Sequence, residues 1–427
     1  MQNFPLYHIA HIDLSRTLKL PALDTDHQGN YIVFWWQNVA LGHLFLETGE
    51  NLSPADYLER VIKSIEPTIC FYAKETGSPE SKWQLWLRNQ QFETWSDWIE
   101  RSFSGLTSAA IPPTVPVSVI VCTHNRPRQL QQCLENLKLL STLPEEIIVV
   151  DNAPSDEASL KVVRQYQDLL QIVYVKESRK GLDIARNTGI KNASTPVVAF
   201  VDDDVATHPL WLYQVWESFK DPLVAAMTGL VIASELKTEA QCIFEKHWSF
   251  NRGYTDKLYD QGFFNDTLRK GPPVWRIGAG ANMAFRREVF EQTGCFHELL
   301  DAGAAGCSGD SEMWYRLLMH GYKIHYNPRA IVFHEHRKET EALKRQIFYY
   351  MRGHTAAALI QQHYYQKADY SRYLAKLFLK TYTRSIIKGF PGYSFKYSTL
   401  WAQISGALAG LAYYYKNRKK STGELVK

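Results

Sequence analysis

From residue 117 to residue 204 the chain repeats one pattern: a short apolar run that ends in polar residues, then a helical stretch. Residues 117–122, 147–150, 172–175 and 197–201 read as strands, and residues 128–140, 158–169 and 182–192 as helices. Strands that alternate with helices predict a mostly parallel α/β sheet, because parallel neighbours need a long crossover. Such sheets bind ligands at the carboxyl ends of their strands. Three polar clusters fall there: Thr123-His124-Asn125-Arg126, Asp151-Asn152 and Asp202-Asp203-Asp204. One cluster would say little, since any strand-to-helix loop is polar. Three at one edge favour a nucleotide site.

At 427 residues the chain is long enough for two or three units. Residues 1–102 predict a small α+β domain of open role. In it, residues 31–36 and 44–46 suggest a hairpin with a turn containing Gly42, and Ser53 and Pro54 open a helix. Trp35, Trp36, Trp83, Trp86, Trp95 and Trp98 lie here, as an aromatic core or, less readily, as a sugar-stacking surface. Residues 103–116, rich in Ser, Gly and Pro, read as a linker, residues 117–338 as the catalytic domain and residues 339–427 as a basic helical region. Six cysteines form no CxxC pair, which points away from zinc knuckles and disulfides and fits a cytoplasmic compartment. The first twenty residues lack the apolar segment of a secretory signal, and no run reaches the roughly 18 apolar residues of a membrane span.

Three adjacent carboxylates repel one another unless a cation compensates them. A hard divalent ion takes oxygen ligands and bridges carboxylates to phosphate oxygens, so Asp202-Asp203-Asp204 predicts a metal site. The competing reading is a helix N-terminus, since His208-Pro209-Leu210 looks like a helix start. The turn at Gly181 opens a helix whose backbone N–H groups, with Arg186, suit a diphosphate. That segment is neither a P-loop nor a G-x-G-x-x-G fingerprint.

These pieces, with Gly278 through Arg287 and Gly309-Asp310-Ser311-Glu312, occur in the order and spacing of family 2 glycosyltransferases. From about Val117 to His336 the chain resembles that family, which implies a GT-A, Rossmann-like fold and an inverting, metal-dependent transfer that uses Mn2+ or Mg2+. The sequence departs from the family's processive polysaccharide synthases, whose Q-x-x-R-W motif and long membrane spans it does not show, which points to a non-processive enzyme. The donor would be a nucleotide sugar, preferably a UDP-sugar, and the acceptor a glycan or lipid-linked hydroxyl, in polysaccharide or glycolipid assembly. The resemblance implies that Thr123, Asn125, Arg126 and Asp151 line the nucleoside pocket. It puts Gly181 and Arg186 near ribose and diphosphate and Asp203 near ribose or sugar, with Asp202 beside it in the donor site. Asn282 follows glycines that allow close backbone approach and reads as wall of the donor-sugar or acceptor pocket. Asp204 would bind the metal, helped by His334 or, alternatively, His336. Asp310 matches the catalytic base, although a helix N-cap is its other reading. Trp275 and Trp314 would stack on a sugar or simply pack.

The net charge of +4 conceals an asymmetry: residues 341–427 carry 15 Lys/Arg against 3 Asp/Glu. Interleaved aromatic and basic residues, and Gly406 and Gly410 before Lys416, Arg418, Lys419 and Lys420, suggest peripheral attachment to an anionic inner membrane face. Packing on the catalytic domain is the alternative. No nucleic-acid recognition module is visible. Two other functions compete. A sugar-nucleotide nucleotidyltransferase would show a G-x-G-T-R loop where Thr123-His124-Asn125-Arg126 stands. An inactive nucleotide-sugar-binding scaffold would not need Asp204 and Asp310.

Overall fold

Val, Ile and Phe fill the runs around Val119, Val149 and Val198, and residues of this kind favour strands buried on both faces. In the computed structural model, which describes residues 6–16, 28–106 and 110–421, these runs form the middle of a nine-stranded sheet. The chain opens with β1 (Tyr7–Asp13), β2 (Gly29–Trp36) and β3 (Val39–Leu46) in a separate three-stranded sheet. The large sheet contains β4 (Thr114–Thr123), β5 (Leu143–Asn152), β6 (Ile172–Glu177), β7 (Val197–Asp202), β8 (Val205–Thr207), β9 (Val224–Ala233), β10 (Lys257–Tyr259), β11 (Asn282–Arg286) and β12 (Lys323–His334). Its order is β10-β12-β9-β11-β7-β4-β5-β6, with β8 paired to β12. Strands β7, β4, β5 and β6 run parallel, as do β9 and β12, while β11 is antiparallel to both its neighbours.

Register, not just polarity, aligns the clusters. Val121 sits opposite both Val149 and Val201, so Thr123 falls opposite Asp151 and Cys122 opposite Asp202. All three polar strand ends therefore reach the same edge. Helices Pro127–Lys138, Ala158–Tyr166 and Leu182–Asn192 cover the two faces, and apolar clusters built on Val119, Val149 and Ala199 on one face and on Ile120, Val150 and Phe200 on the other form the core.

Several element boundaries differ from expectation. The β2–β3 turn lies at Gln37-Asn38, with Gln37 at φ 52°, and Gly42 is inside β3. A side chain at Gly42 would collide with the Ser64 carbonyl of helix Pro54–Glu75, so glycine serves close packing there and not the turn. Ser53 caps that helix and Pro54 opens it, as read. Of the supposed linker, residues 107–109 lie outside the described residues; Leu143 N–H bonds the Pro113 carbonyl at 2.9 Å and β4 begins at Thr114, so residues 113–116 belong to the sheet. The N-terminal tryptophans Trp35, Trp36, Trp83, Trp95 and Trp98 are buried, which makes them core and not a sugar platform. One face of the small sheet packs on the large one, joining Tyr31, Val33 and Trp35 to Leu230, Ile232 and Ile331.

The basic region forms helices Thr340–Tyr364, Tyr370–Lys376, Thr383–Gly389 and Leu400–Ser421, with a π-helical turn at Leu377–Tyr382. Gly406 and Gly410 press on helix Thr340–Tyr364, where a Cβ would strike the carbonyls of Phe348 and Arg352. The GxxxG spacing is thus an intramolecular contact. Among the described residues no helix is long and apolar enough to cross a membrane. The side chains of Lys419 and Lys420 lie outside the described residues.

Candidate active site

The end of β4 and the end of β7 are tied together by side chains. Thr123 Oγ1 donates to Asp203 Oδ2 at 2.8 Å. Arg126 donates through one nitrogen to Asp203 Oδ1 at 2.8 Å and to Asp204 Oδ2 at 3.1 Å. One guanidinium therefore offsets the repulsion between two of the three aspartates. Asn125 holds φ 54°, a conformation Asn tolerates, and its Oδ1 accepts from the backbone and hydroxyl of Ser155, joining the β4 and β5 loops. The acidic run does not begin a helix: β8 follows Asp204 directly, and the next helix starts at Trp211.

Asp151 is fully buried. One carboxylate oxygen accepts from Tyr174 Oη at 2.8 Å, and Oδ1 has no partner among the described residues. Burial pushes its pKa up. The Tyr174 and Ser159 hydroxyls pull it down in turn, and an acceptor without a close partner at a strand end is free to take a further donor.

Gly181 and Arg186 differ from the expected diphosphate cradle. Gly181 N–H donates to Asn152 Oδ1 at 3.0 Å and Leu182 N–H to the Ala302 carbonyl at 2.9 Å, so the first N–H groups of this helix are already occupied. Gly181 is absent from the cleft wall, and Gly303 packs on it. Arg186 does reach the cleft, but it is buried and donates to Asp183 Oδ1 at 2.9 Å and Asp301 Oδ2 at 2.7 Å. It is a fixed positive charge beneath the floor. Burial raises Asp202 to about 7 even though Arg186 pulls it down.

Asn282 is a clear correction. Its amide donates to the carbonyls of Leu230 and Ala330, and its Oδ1 accepts from Trp211 Nε1 at 2.9 Å. With every polar atom engaged and no exposure, it bonds strands together and is not part of the cleft wall. Close approach is needed one strand over, at Gly229, where a Cβ would collide with the Ala330 carbonyl and the Asn282 amide.

Asp310 sits in the first turn of helix Gly309–Met319, after Ser308 in a left-handed turn at φ 78°. Ser308 occupies the cap position, so Asp310 is not the N-cap. Its Oδ1 accepts from Ser311 N–H at 2.6 Å. Its Oδ2 faces Gly280, where an added Cβ would lie 3.2 Å from it and 3.1 Å from an Arg186 nitrogen. Burial, then the charge of Asp301, raises the Asp310 pKa. Glu312 instead forms a buried two-bond pair with Arg316, whose Nη1 donates to the carbonyls of Thr293 and Gly294 and whose Nη2 also donates to that of Cys295. Trp314 is core, whereas Trp275 lines the cleft.

The two histidines separate cleanly. Pairing of β8 with β12 sets His334 opposite Val205, the residue after Asp204. His334 Nε2 lies 3.9 Å from Asp204 Oδ1. Burial lowers the His334 pKa to about 4, so its imidazole is neutral. His336 is buried, bonded through Nε2 to Glu245 at 2.9 Å, and its Nδ1 is 3.1 Å from His334 Nδ1. His336 thus orients His334, leaving Nε2 of His334 toward the aspartate.

Asp202, Asp204, Arg186, Asp310 and His334 line one cleft of about 1350 Å³. Thr123, Asn125, Arg126, Asp151 and Asp203 lie outside its wall; Thr123, Asp203 and Arg126 are tied to it through the Arg126–Asp204 bond, whereas Asn125 and Asp151 bond Ser155 and Tyr174. Sequence reasoning missed Asp183 and Asp301, which hold Arg186, and the opposite wall, supplied by Tyr349, Arg352 and Tyr382 of the C-terminal helices. The i, i+3 spacing of Asp183 and Arg186 was a usable signal; nothing local marks Asp301.

Residues 118–294 match the model of glycosyl transferase family 2. The chain carries a family 2 glycosyltransferase domain. Its fold is a mixed α/β sheet whose middle strands are parallel. Relatives include the glycosyltransferase AglE of Haloferax volcanii, 28% identical over 240 residues, 55% of this chain and 71% of that one. The pre-mycofactocin glycosyltransferase of Mycobacterium tuberculosis is 26% identical over 258 residues, 59% of this chain and 50% of that one. A chondroitin synthase of Pasteurella multocida is 31% identical over 261 residues, 56% of this chain but 26% of that one. The match to the last two thus takes in half or less of their length. A solved mannosyltransferase, PcManGT of Pyrobaculum calidifontis with GDP-Man and Mn2+, superposes with TM-score 0.48 at 19% identity, covering 71% of this chain and 89% of that one.

Proposed function

We propose that this glycosyltransferase moves a sugar from a nucleotide-diphosphate donor, a UDP-sugar, to an acceptor hydroxyl with inversion, one transfer per encounter. One observation carries the reading: Asp310 shares a single cleft with Asp204 and His334 at the carboxyl edge of the parallel strands. A sugar hydroxyl is a poor nucleophile and needs a base as its oxygen bonds the anomeric carbon. Asp310 Oδ2 takes that proton while the diphosphate leaves with the electrons of the broken bond. Attack from the face opposite the leaving group inverts the centre, so an α-linked donor yields a β-glycoside. Gly280 keeps the space over Asp310 open. The unpartnered Oδ1 of Asp151 accepts an N–H from the base edge, which uracil offers.

The donor set suits a divalent ion. Asp204 Oδ1 and a neutral His334 Nε2, 3.9 Å apart, can reach one ion with bonds of about 2.0–2.2 Å. Among the described residues no third His, Cys, Asp or Glu joins them, which leaves the other positions to phosphate oxygens and water. Bound there, Mn2+ or Mg2+ would offset charge on the departing diphosphate.

Nucleotide release from UDP-, GDP- and dTDP-sugars, each with Mn2+ or with EDTA, tests the reading. It expects one donor to be turned over and EDTA to stop it. Metal-independent release contradicts the metal's role, and nucleotides that fail to bind with metal present contradict the enzyme and favour a scaffold.

The setting we propose is a membrane surface at the inner face, with glycolipid or polysaccharide assembly as the context. Trp401, Leu408 and Tyr415 recur every seven residues along helix Leu400–Ser421 and are 55%, 53% and 59% exposed, with Lys416 and Arg418 beside them. Apolar anchors flanked by cations suit an anionic bilayer.

A further inference from the structure

The opposite wall of the cleft carries cations that the transfer chemistry above does not use. Arg345 and Arg352 stand seven residues apart on one face of helix Thr340–Tyr364, and both line the cleft. Arg186, by contrast, is neutralised by Asp301, as are Arg126 by Asp203 and Arg316 by Glu312 outside the cleft wall. Arg252 and Arg337 also line the cleft, and Arg252 is held by the carbonyls of Ser249 and Trp275. Among the described residues neither Arg345 nor Arg352 has a carboxylate at ion-pair distance; Arg352 instead lies over the ring of Tyr413, 4.6 Å from its centre. Unpaired guanidinium groups facing a cleft attract an anion, and their planar donors match phosphate oxygens in pairs.

The place of this helix face says which substrate brings the anion. Gly353 packs so closely on Cys307, and Gly306 on Tyr349, that a Cβ at either glycine would strike the other segment. The arginine face therefore stands beside the loop that leads through Ser308 into Asp310, the base that the acceptor hydroxyl must reach. The donor side, Asp204 and His334, lies at the strand edge. Seven helical residues separate the arginine backbones by about 10 Å, so two long side chains closing on one ligand favour a charge spread over two phosphates. Next to them the wall turns apolar and aromatic, through Leu377 and Tyr382 of the π-helical turn.

We propose that Arg345 and Arg352 form an acceptor subsite for a diphosphate ester, carried by a lipid or by a soluble sugar. The proposal rests on the glycosyltransferase reading and deepens it.

Binding measured in EDTA isolates this subsite, because removing the metal disables the donor side. The probes are inorganic pyrophosphate, farnesyl diphosphate and farnesol, on the full chain and on Arg345→Gln, Arg352→Gln and the double variant. The wild type is expected to bind both diphosphates and not farnesol. Each single variant loses roughly tenfold and the double roughly a hundredfold, the size of one and two charge-assisted contacts. UDP affinity in Mn2+ then stays within about twofold, which also reports an intact fold. Arg345 is exposed, so its variant keeps the test valid should the Arg352 variant misfold. Tighter binding of farnesyl diphosphate than pyrophosphate supports the lipid source, and equal binding supports the soluble one. Three results overturn the proposal: no diphosphate binding by a protein that binds UDP with Mn2+, binding that the variants leave unchanged, or variants that lose UDP instead. Failure to bind UDP at all strikes the transferase reading itself.

Discussion

Asp310, half-buried at the cleft, and Asp151, fully buried, are carboxylates with raised pKa values, yet they predict opposite behaviour on mutation. Asp310 has to be ionised to accept a proton. The acid limb of kcat/KM is therefore expected above the ordinary aspartate range of about 4, with activity falling as pH drops through the raised value. Asp151 is half-satisfied, and the folded protein holds its proton to higher pH than the unfolded chain does. Its contribution to stability shrinks as pH rises from the unfolded value through the folded one. Asp151→Asn is expected to leave the nucleotide-free protein as stable or up to about 1 kcal/mol more stable at neutral pH, while weakening UDP binding. Chemical denaturation and UDP titration check the pair of effects; a variant that is destabilised yet binds UDP normally contradicts the assignment.

Among the elements, β8 and β11 decide what the site contains. Three residues of β8, paired with the end of β12, carry His334 to Asp204. No periodicity in the chain announces that pairing, since so short a strand has no recognisable pattern. The longer runs did announce themselves, because a strand buried on both faces needs unbroken apolar sequence; hence the polar ends at Thr123, Asp151 and Asp202 were readable before any coordinates. Asn282 misled for a physical reason. A polar residue after glycines looks like a pocket residue, but here the glycines allow strands and loops to close around an amide that bonds two carbonyls and an indole. Asn282→Ala is expected to cost about 2–3 kcal/mol by orphaning those groups, with donor KM unchanged. A raised donor KM with normal stability would return Asn282 to the pocket.

For the whole molecule, the basic C-terminal region does two things that its charge alone did not separate. Its glycine face packs on helix Thr340–Tyr364, which completes the cleft, and its Trp401–Leu408–Tyr415 face stays exposed. Composition made the cationic tail legible; which face turned inward depended on close contacts at Gly406 and Gly410 that no local pattern assigns to a partner. The membrane setting predicts co-sedimentation with liposomes containing anionic lipid at low salt. It also predicts release as ionic strength rises, and a large loss in a Trp401→Ser, Leu408→Ser double variant. Equal recovery with neutral and anionic vesicles, or none at low salt, contradicts it.

The central claim is that Asp310 is the base of a metal-dependent sugar transfer, and the most direct measurement is nucleotide release by Asp310→Asn beside the wild type, with the active donor and Mn2+. Asn keeps the shape and removes the proton acceptor, so a fall in turnover of about 10²–10⁴-fold with nucleotide affinity preserved is the predicted result. Turnover within a few-fold of wild type, with the nucleotide still bound, would contradict the account.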